Sequence, residues 1–598
     1  METQDPKSKI QNPTSPWLAH YEPQVPQSPV IPNITLHELF EATVHSYPHN
    51  TATIFFGARL TYAQLDDHAN RLAAGLQSLG VTRGERVGLL LPNCPQFIIA
   101  LYAALKAGAV VVPANPLYTQ RELRNQFNDS GVETVIALDT LAPRVMDDGR
   151  WTIDDGGKET GSTSPSSIVH RPSSAEGPVK RLVVTHTADY LSPLMASALA
   201  AKQAREGTPA DLAGDNVYSF SALIQNSRPH YTRSTATPDD TALLLYTGGT
   251  TGVPKGAMLT HRNLVANTNQ MKSWVWDATP ENREVFLGVI PFFHSYGLTV
   301  VMNFAIAVAG AIVLVPRFVM KDVLRAIARF RPTIFPAVPT MYNAIAHHPL
   351  SAGYNLRSIR VCISGAAPLP MEVAHAFESV TGARLVEGYG LTETSPVTHC
   401  NPIYGERREG SIGLPIPLTE SLVVDPDTRQ PLPVGQVGEL AIRAPQVMQG
   451  YWHQPEENAQ TIRDGWFYTG DMARQDPNGY FYIVDRKKDL ILVGGYNVYP
   501  REVEEVLYEC DKVQEALVAG VPDRNLGEIV KAYVVLKPGV QATEPELRRF
   551  CAERLAPFKV PMRVEFRETL PKSGVGKYLR KQLIEEEQSR AQGSGISD

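Results

Sequence analysis

Cysteine is scarce: the 598 residues hold five, Cys94, Cys362, Cys400, Cys510 and Cys551, widely scattered and with no Cys-x-x-Cys pair. That argues against a disulfide framework or a cysteine-held zinc and reads as reduced packing residues of a cytoplasmic protein. A surplus of positive charge is missing too. The formal net charge is −6, which gives no sign of a nucleic-acid binder, whose surface would carry a basic face. Met1 to Gln11 is polar and has no apolar core of a signal peptide. One uncharged apolar run, Leu298 to Pro316, reaches the length of a membrane span. Asn303 and Gly310 interrupt it, however, and Ala311 to Val315 has the composition of a buried parallel strand following a buried helix. No internal repeat is evident.

What is there is a chain too long for one ordinary core, so two or more domains are expected. Its 43% hydrophobic and 20% charged residues are those of a soluble globular protein. After the apolar run Ala242 to Leu245 comes the densest cluster of chemistry in the chain, Tyr246-Thr247-Gly248-Gly249-Thr250-Thr251-Gly252-Val253-Pro254-Lys255-Gly256. It reads as a strand entering a phosphate-cradling loop. Glycines let backbone N–H groups approach an anion, threonine hydroxyls add donors or a metal ligand, and lysine brings mobile positive charge. The spacing is not the Walker type, because Lys255 precedes Gly256 where that motif needs Gly-Lys followed by Ser or Thr. This points away from an ordinary kinase or GTPase.

Further segments follow in order: Ser364-Gly365-Ala366-Ala367-Pro368, Glu387-Gly388-Tyr389-Gly390-Leu391-Thr392-Glu393-Thr394, Tyr468-Thr469-Gly470-Asp471, Asp485-Arg486-Lys487-Lys488-Asp489 and Pro571-Lys572-Ser573-Gly574-Val575-Gly576-Lys577. Together with the loop they resemble the signatures of the adenylate-forming (acyl-activating) enzymes, over roughly residues 35 to 585. The likeness is closest to bacterial long-chain fatty-acid CoA ligases, notably in Leu492-Val493-Gly494-Gly495-Tyr496-Asn497-Val498-Tyr499-Pro500 and Phe558-Lys559-Val560-Pro561.

The resemblance implies a carboxylate attacking the α-phosphorus of ATP, pyrophosphate leaving, and the thiol of CoA then attacking the acyl-adenylate. Both reactants of the first step are anions, so the main task is electrostatic. By resemblance, Thr247, Gly248, Gly249, Thr250, Thr251, Gly252 and Lys255 hold the phosphates, and Thr247 and Glu393 hold Mg²⁺, a hard cation that prefers oxygen. Gly365, Ala366, Ala367, Glu387, Gly388, Tyr389, Gly390 and Thr392 line the nucleotide, with the Tyr389 ring offering a stacking face. Asp471 takes the ribose hydroxyls and Arg486 is a second ribose or phosphate contact. Lys577 carries adenylation, Lys572 being its near neighbour in sequence, and Lys488 is the hinge about which the small domain turns. Gly494, Gly495 and Tyr496 border the CoA tunnel. His294, after Pro291-Phe292-Phe293, borders the acyl pocket as a gating or carboxylate-orienting group. Gly297, Leu298 and the apolar stretch beyond are candidates to line an alkyl channel that Gly388 would leave open.

The expected fold is α/β: a large N-terminal domain of βαβ-type parallel sheets with a small β-barrel-like part, and a small mobile C-terminal α/β domain. Expected divisions are an N-terminal extension (1–34) lying over the surface, a large domain (35–484) with a flexible insertion at 147–178, a small domain (485–585) and a polar tail (586–598). Arg86 to Leu91, Gln96 to Ala107 and Ala109 to Val112 read as strand, helix and strand, with a further strand at Thr134 to Leu138. Leu194, Met195, Ala198 and Leu199 share one helical face. Packing against the protein is the first reading of that face and a peripheral membrane contact the second. Trp466 to Gly470 reads as an exposed turn. Thr543 to Glu546 reads as a capping box, and strands are expected at Glu515 to Val521, Ile529 to Leu536 and Arg563 to Phe566. The implied partners are a fatty acid, ATP and CoA, and the resemblance admits a homodimer. Alternatives left open by the sequence are an aryl-CoA ligase of the coumarate type and a non-catalytic nucleotide-binding protein.

Overall fold

The computed structural model describes residues 15–145, 179–206, 214, 216–247, 254–486, 489–493, 496–523, 526–573 and 578–593. At its centre lies the expected βαβ unit. Strand Arg86–Leu90 leads through helix Pro95–Ala107 to strand Val110–Pro113, and the two strands run parallel. Pro95 opens the helix where an N–H would be unpaired anyway, and Gly108 ends it at φ 86° in the left-handed region. Every residue of this helix is buried, even Lys106, whose ammonium meets Asp66 at 2.6 Å and Glu41 at 3.0 Å.

Strand Val132–Leu138 joins the other side of Arg86–Leu90, followed by Arg181–Thr185 and Val217–Ser219, all parallel. Beyond Val110–Pro113 come Thr241–Thr247, Lys255–Thr260 and Gly450–Tyr451, the last two pairing antiparallel and completing eight strands. The glycine-rich loop therefore joins neighbouring strands, with Thr247 opposite Lys255.

A second sheet runs from Ala58–Thr61 through Thr51–Phe55 and Ala311–Leu314 to Val285–Gly288. Bridges at Ile334 carry it on to Val361–Ser364, Arg384–Gly390, Val397–Cys400 and Leu414–Pro415. The apolar run behaves as expected: a π-helical turn at Gly297–Asn303 and a helical turn at Phe304–Ala307 precede strand Ala311–Leu314, which lies between parallel neighbours. Among the described residues no helix is long and apolar enough to cross a membrane. The small β part is a five-stranded antiparallel sheet built from Glu420–Val424, Gly438–Arg443, Ile462–Arg463, Trp466–Gln475 and Phe481–Arg486. One apolar cluster joins these layers from Trp17 to Phe481. The C-terminal sheet, Ile491–Val493, Tyr496–Val498, Val513–Asp523, Gly527–Leu536 and Arg563–Phe566, instead encloses its own cluster from Ile491 to Val564. The fold is the expected α/β class.

Several local expectations are corrected. Trp466 and Phe467 are buried within a strand and are not an exposed turn, because both neighbouring strands pair with this segment. Leu194 is 81% exposed and Met195 40% exposed on helix Pro193–Glu206, so their shared face is not packed against the described protein. The Thr543 side chain caps nothing; Glu546 pairs with Lys512 at 2.6 Å. Leu298, Val300, Val301 and Met302 are fully buried in the main cluster. A Cβ on Gly388 would meet Ile363 at 3.2 Å, so that position adjoins packed side chains as well. The N-terminal segment from Ser15 is a strap more than a covering: Trp17 is buried against Phe481, and Glu22 accepts from Trp276 Nε1 at 2.7 Å and Tyr404 N at 2.7 Å. The 147–178 insertion lies outside the described residues.

Candidate active site

The site is organised around the turn after strand Arg384–Gly390. Gly390 is required there by close approach, since a Cβ would run into the Pro396 carbonyl, and Leu391 N donates to that same oxygen at 3.1 Å. The chain then makes a short helical turn at Thr392–Thr394, which buries Glu393 to 9% exposure. The segment bearing His294 is brought against it. Ser295 Oγ and Thr392 Oγ1 are 3.4 Å apart, and Thr299 Oγ1 donates to Ser395 O at 2.7 Å. Half-buried His294 accepts from Tyr296 N through Nδ1 at 3.2 Å. Gly297 permits the π-helical turn that follows, because a Cβ would strike the Pro291 and Ile290 carbonyls.

On one side of Glu393 lie the residues expected at the phosphates. Tyr451 donates its hydroxyl to Glu393 Oε1 at 2.8 Å. The Lys255 ammonium stands 5.5 Å from the centre of the Tyr451 ring and 2.7 Å from Glu457 Oε1. A buried carboxylate and a threonine hydroxyl are oxygen donors suited to a hard cation, and Glu393 Oε2 has no hydrogen-bond partner among the described residues. These groups fit Mg²⁺. Such an ion, shared with nucleotide phosphates, needs no protein cage, and among the described residues no trio of His, Cys, Asp or Glu forms one.

On the other side lie the residues expected at the nucleoside. Tyr389 donates to Asp471 Oδ2 at 2.5 Å, and Asp471 is 5% exposed in strand Trp466–Gln475, in register with Arg486 of the neighbouring strand. The segment expected at the adenine carries strain: Ala366 sits at φ 67°, a left-handed conformation costing a non-glycine residue about 1–2 kcal/mol. A Cβ on Gly365 would come within 3.2 Å of the Tyr296 ring. Glu387 is 7% exposed and lies 3.9 Å from Arg501 of the C-terminal part. Burial outweighs that guanidinium and pushes its carboxyl up to about 7. Beside it opens a shallow cleft lined by Leu369, His375, Asn401 and Arg408.

The structure thus brings Thr247, Lys255, His294, Gly365, Glu387, Tyr389, Gly390, Thr392, Glu393 and Asp471 onto adjoining elements. Gly248 to Gly252, Lys488, Gly494, Gly495 and Lys577 lie outside the described residues, as do the side chains of Arg486 and Tyr496. Lys572, the neighbour of Lys577, is occupied with Glu515 at 2.6 Å. Sequence reasoning missed Tyr451, Glu457 and Arg501. The signal for the first two was present in Gly450-Tyr451-Trp452 followed by Pro455-Glu456-Glu457, a short strand running into a helix.

The family model described as AMP-binding enzyme matches residues 40–452, and the AMP-binding enzyme C-terminal domain matches residues 502–577. The chain belongs to the AMP-binding enzyme family. Among its AMP-binding relatives is a long-chain-fatty-acid–CoA ligase of Bacillus subtilis, 44% identical over 575 residues, or 96% of this chain and 98% of the relative. A feruloyl-CoA synthase of an Amycolatopsis species is 36% identical over 534 residues, 89% of this chain and 95% of that one. The solved ATP-bound MatB of Rhodopseudomonas palustris superposes with a TM-score of 0.74 at 28% identity, covering 92% of this chain and 99% of its own.

Proposed function

We propose that this AMP-binding enzyme is an AMP-forming fatty-acyl-CoA ligase acting on medium- to long-chain acids, with ATP and CoA as co-substrates. The observation that carries the reading is identity of 44% to a long-chain ligase across almost the whole of both chains. In the first half-reaction a carboxylate oxygen of the acid bonds to the α-phosphorus as the bond to the β-phosphate breaks, releasing pyrophosphate. In the second, the CoA sulfur bonds to the acyl carbon, its proton passes to solvent, and AMP departs with the oxygen that came from the acid.

Lys255 and the loop before it neutralise the β- and γ-phosphates, Asp471 holds the ribose, and Lys577 bridges the incoming carboxylate and the α-phosphate. Thr247 and Glu393 hold Mg²⁺, which supplies charge neutralisation on the phosphates. His294 orients the acid. The working divisions are the 35–484 and 485–585 domains, hinged at Lys488; the separate apolar cluster of the C-terminal sheet supports that division. The exposed Leu194 and Met195 are candidate contacts with a lipid surface, and equal liposome flotation of the intact protein and a Leu194→Glu/Met195→Glu variant would remove that role.

A second reading is favoured by the feruloyl-CoA synthase similarity. Pyrophosphate release measured with ATP, Mg²⁺ and CoA across acids from acetate to oleate, plus cinnamate and coumarate, separates the two. Turnover peaking on the longer alkyl acids, with acyl-CoA detected by mass spectrometry, supports the first; a peak on the aryl acids transfers the assignment to the second. Silence on every acid overturns both.

A further inference from the structure

Two groups assigned to the phosphates, a carboxylate and an ammonium, are held by one side chain that the motifs do not single out. Strand Gly450–Tyr451 pairs antiparallel with Lys255–Thr260, Tyr451 lying opposite Ala257. That register sets the Tyr451 side chain beside Lys255. It is 8% exposed, with Trp452 N donating to Gly256 O at 2.7 Å and Tyr451 N donating to Asn458 Oδ1 at 2.6 Å, so its backbone is fixed on both sides. The hydroxyl donates to Glu393 Oε1 at 2.8 Å while the ring face carries the Lys255 ammonium at 5.5 Å. A phenol hydroxyl facing a carboxylate oxygen can only be the donor of that bond. The rotation of Glu393 about its terminal bond is otherwise unrestrained by any hydrogen bond among the described residues.

We propose that Tyr451 is a positioning residue for adenylation. Its hydroxyl fixes the plane of the Glu393 carboxylate with Oε2 left for the metal, and its ring holds Lys255 at the end of the phosphate loop, so one rigid side chain sets the distance between acid and cation. The inference rests on the reading of Glu393 and Lys255 as phosphate-end groups. It differs from a packing role in a way that binding can read, because the hydroxyl acts only through Glu393 and the metal, whereas the ring acts through Lys255 without it.

The test is calorimetric binding of a non-hydrolysable ATP analogue by the full chain, with Mg²⁺ and with chelator, for wild type, Tyr451→Phe, Tyr451→Leu, Glu393→Ala and the Tyr451→Phe/Glu393→Ala double variant. Tyr451→Phe keeps the ring and its packing. It is expected to weaken Mg²⁺-dependent binding about tenfold, as loss of a hydrogen bond to a charged group does, to leave binding in chelator unchanged, and to have no further effect once Glu393 is alanine. Tyr451→Leu should add a loss of about threefold that persists in chelator, from the cation–π contact. Wild-type affinity in Tyr451→Phe, or the same loss with and without Glu393, overturns the proposal while leaving the reading of Glu393 intact. Wild-type Mg²⁺-dependent affinity in Glu393→Ala overturns that reading and the proposal together.

Discussion

The two ends of the proposed nucleotide site are built differently. At the ribose end Asp471 lies inside an antiparallel sheet, 5% exposed, accepting from Tyr389 at 2.5 Å, with its own N–H donating to Thr469 Oγ1 at 3.1 Å. Its position is set on one side by pairing with Arg486, and on the other by a bulge against strand Gly438–Arg443, where Gly470 N donates to Glu439 Oε1 at 3.1 Å. At the phosphate end the Lys255 and Glu457 side chains remain 16% and 38% exposed, and the ammonium's ion-pair partner stands on the short helix Pro455–Thr461. The first end is preorganised by backbone, so binding there costs little ordering. The second is a charge whose present partner a polyphosphate must replace. A recognition group is best fixed where the ligand is always the same, and left exchangeable where product must leave.

The sharpest break of this comparison is at the ribose end. Asp471→Asn keeps the shape but removes the charge that both ribose hydroxyls would share, and ATP affinity is expected to fall about a hundredfold, for two hydrogen bonds to a charged group at 1.5 kcal/mol or so each. Calorimetry with ATP in the absence of acid measures it; a loss below threefold would mean that the sheet is not presenting Asp471 to the ligand.

Glu387 separates the effect of burial from that of binding. Its folded pKa of about 7 is raised above the ordinary carboxylate value by burial first, opposed by Arg501 and the Leu369 N–H, and reinforced by Glu505. Stability from this group is therefore fully present below pH 4.5 and is lost as pH rises through 7. At pH 8 the charged form costs on the order of 3 kcal/mol. Glu387→Gln is expected to raise the thermal midpoint at pH 8 by several degrees and to leave it unchanged at pH 4.5. Equal shifts at both pH values would contradict the burial account.

The smallest effect is expected at the phosphate end. Glu457→Gln removes the competitor for Lys255, so ATP and pyrophosphate should each bind about threefold tighter at low salt, with the gain shrinking at high salt as for other half-exposed ion pairs. Weaker binding of both would show that Glu457 supports the site and does not compete with its ligand.

How much of this could be read in the chain follows from the same difference. The segments that bring Tyr389, Asp471 and Glu393 together were legible as motifs because glycines and a carboxylate recur at fixed local offsets, and the βαβ unit because Pro95 and Gly108 punctuate it. Tyr451 was legible only as part of a short strand before a helix; its contacts with Glu393 and Lys255 were not, since they depend on pairing with a strand almost two hundred positions earlier. Trp466 and Phe467 misled because aromatics beside Gly465 and Gly470 look like a turn, while their neighbours in the sheet decide their burial. The helical face of Leu194 and Met195 misled in the opposite sense: apolar periodicity predicts packing, and among the described residues nothing covers these two side chains.

The most direct test of the central claim follows an oxygen atom. Palmitate labelled with ¹⁸O in both carboxylate positions is turned over with ATP, Mg²⁺ and CoA, and the products are weighed by mass spectrometry. The account predicts one ¹⁸O in AMP, one retained in the acyl-CoA carbonyl and none in pyrophosphate. Label appearing in inorganic phosphate with ADP as the nucleotide product, or acyl-CoA formed with unlabelled AMP, would contradict it.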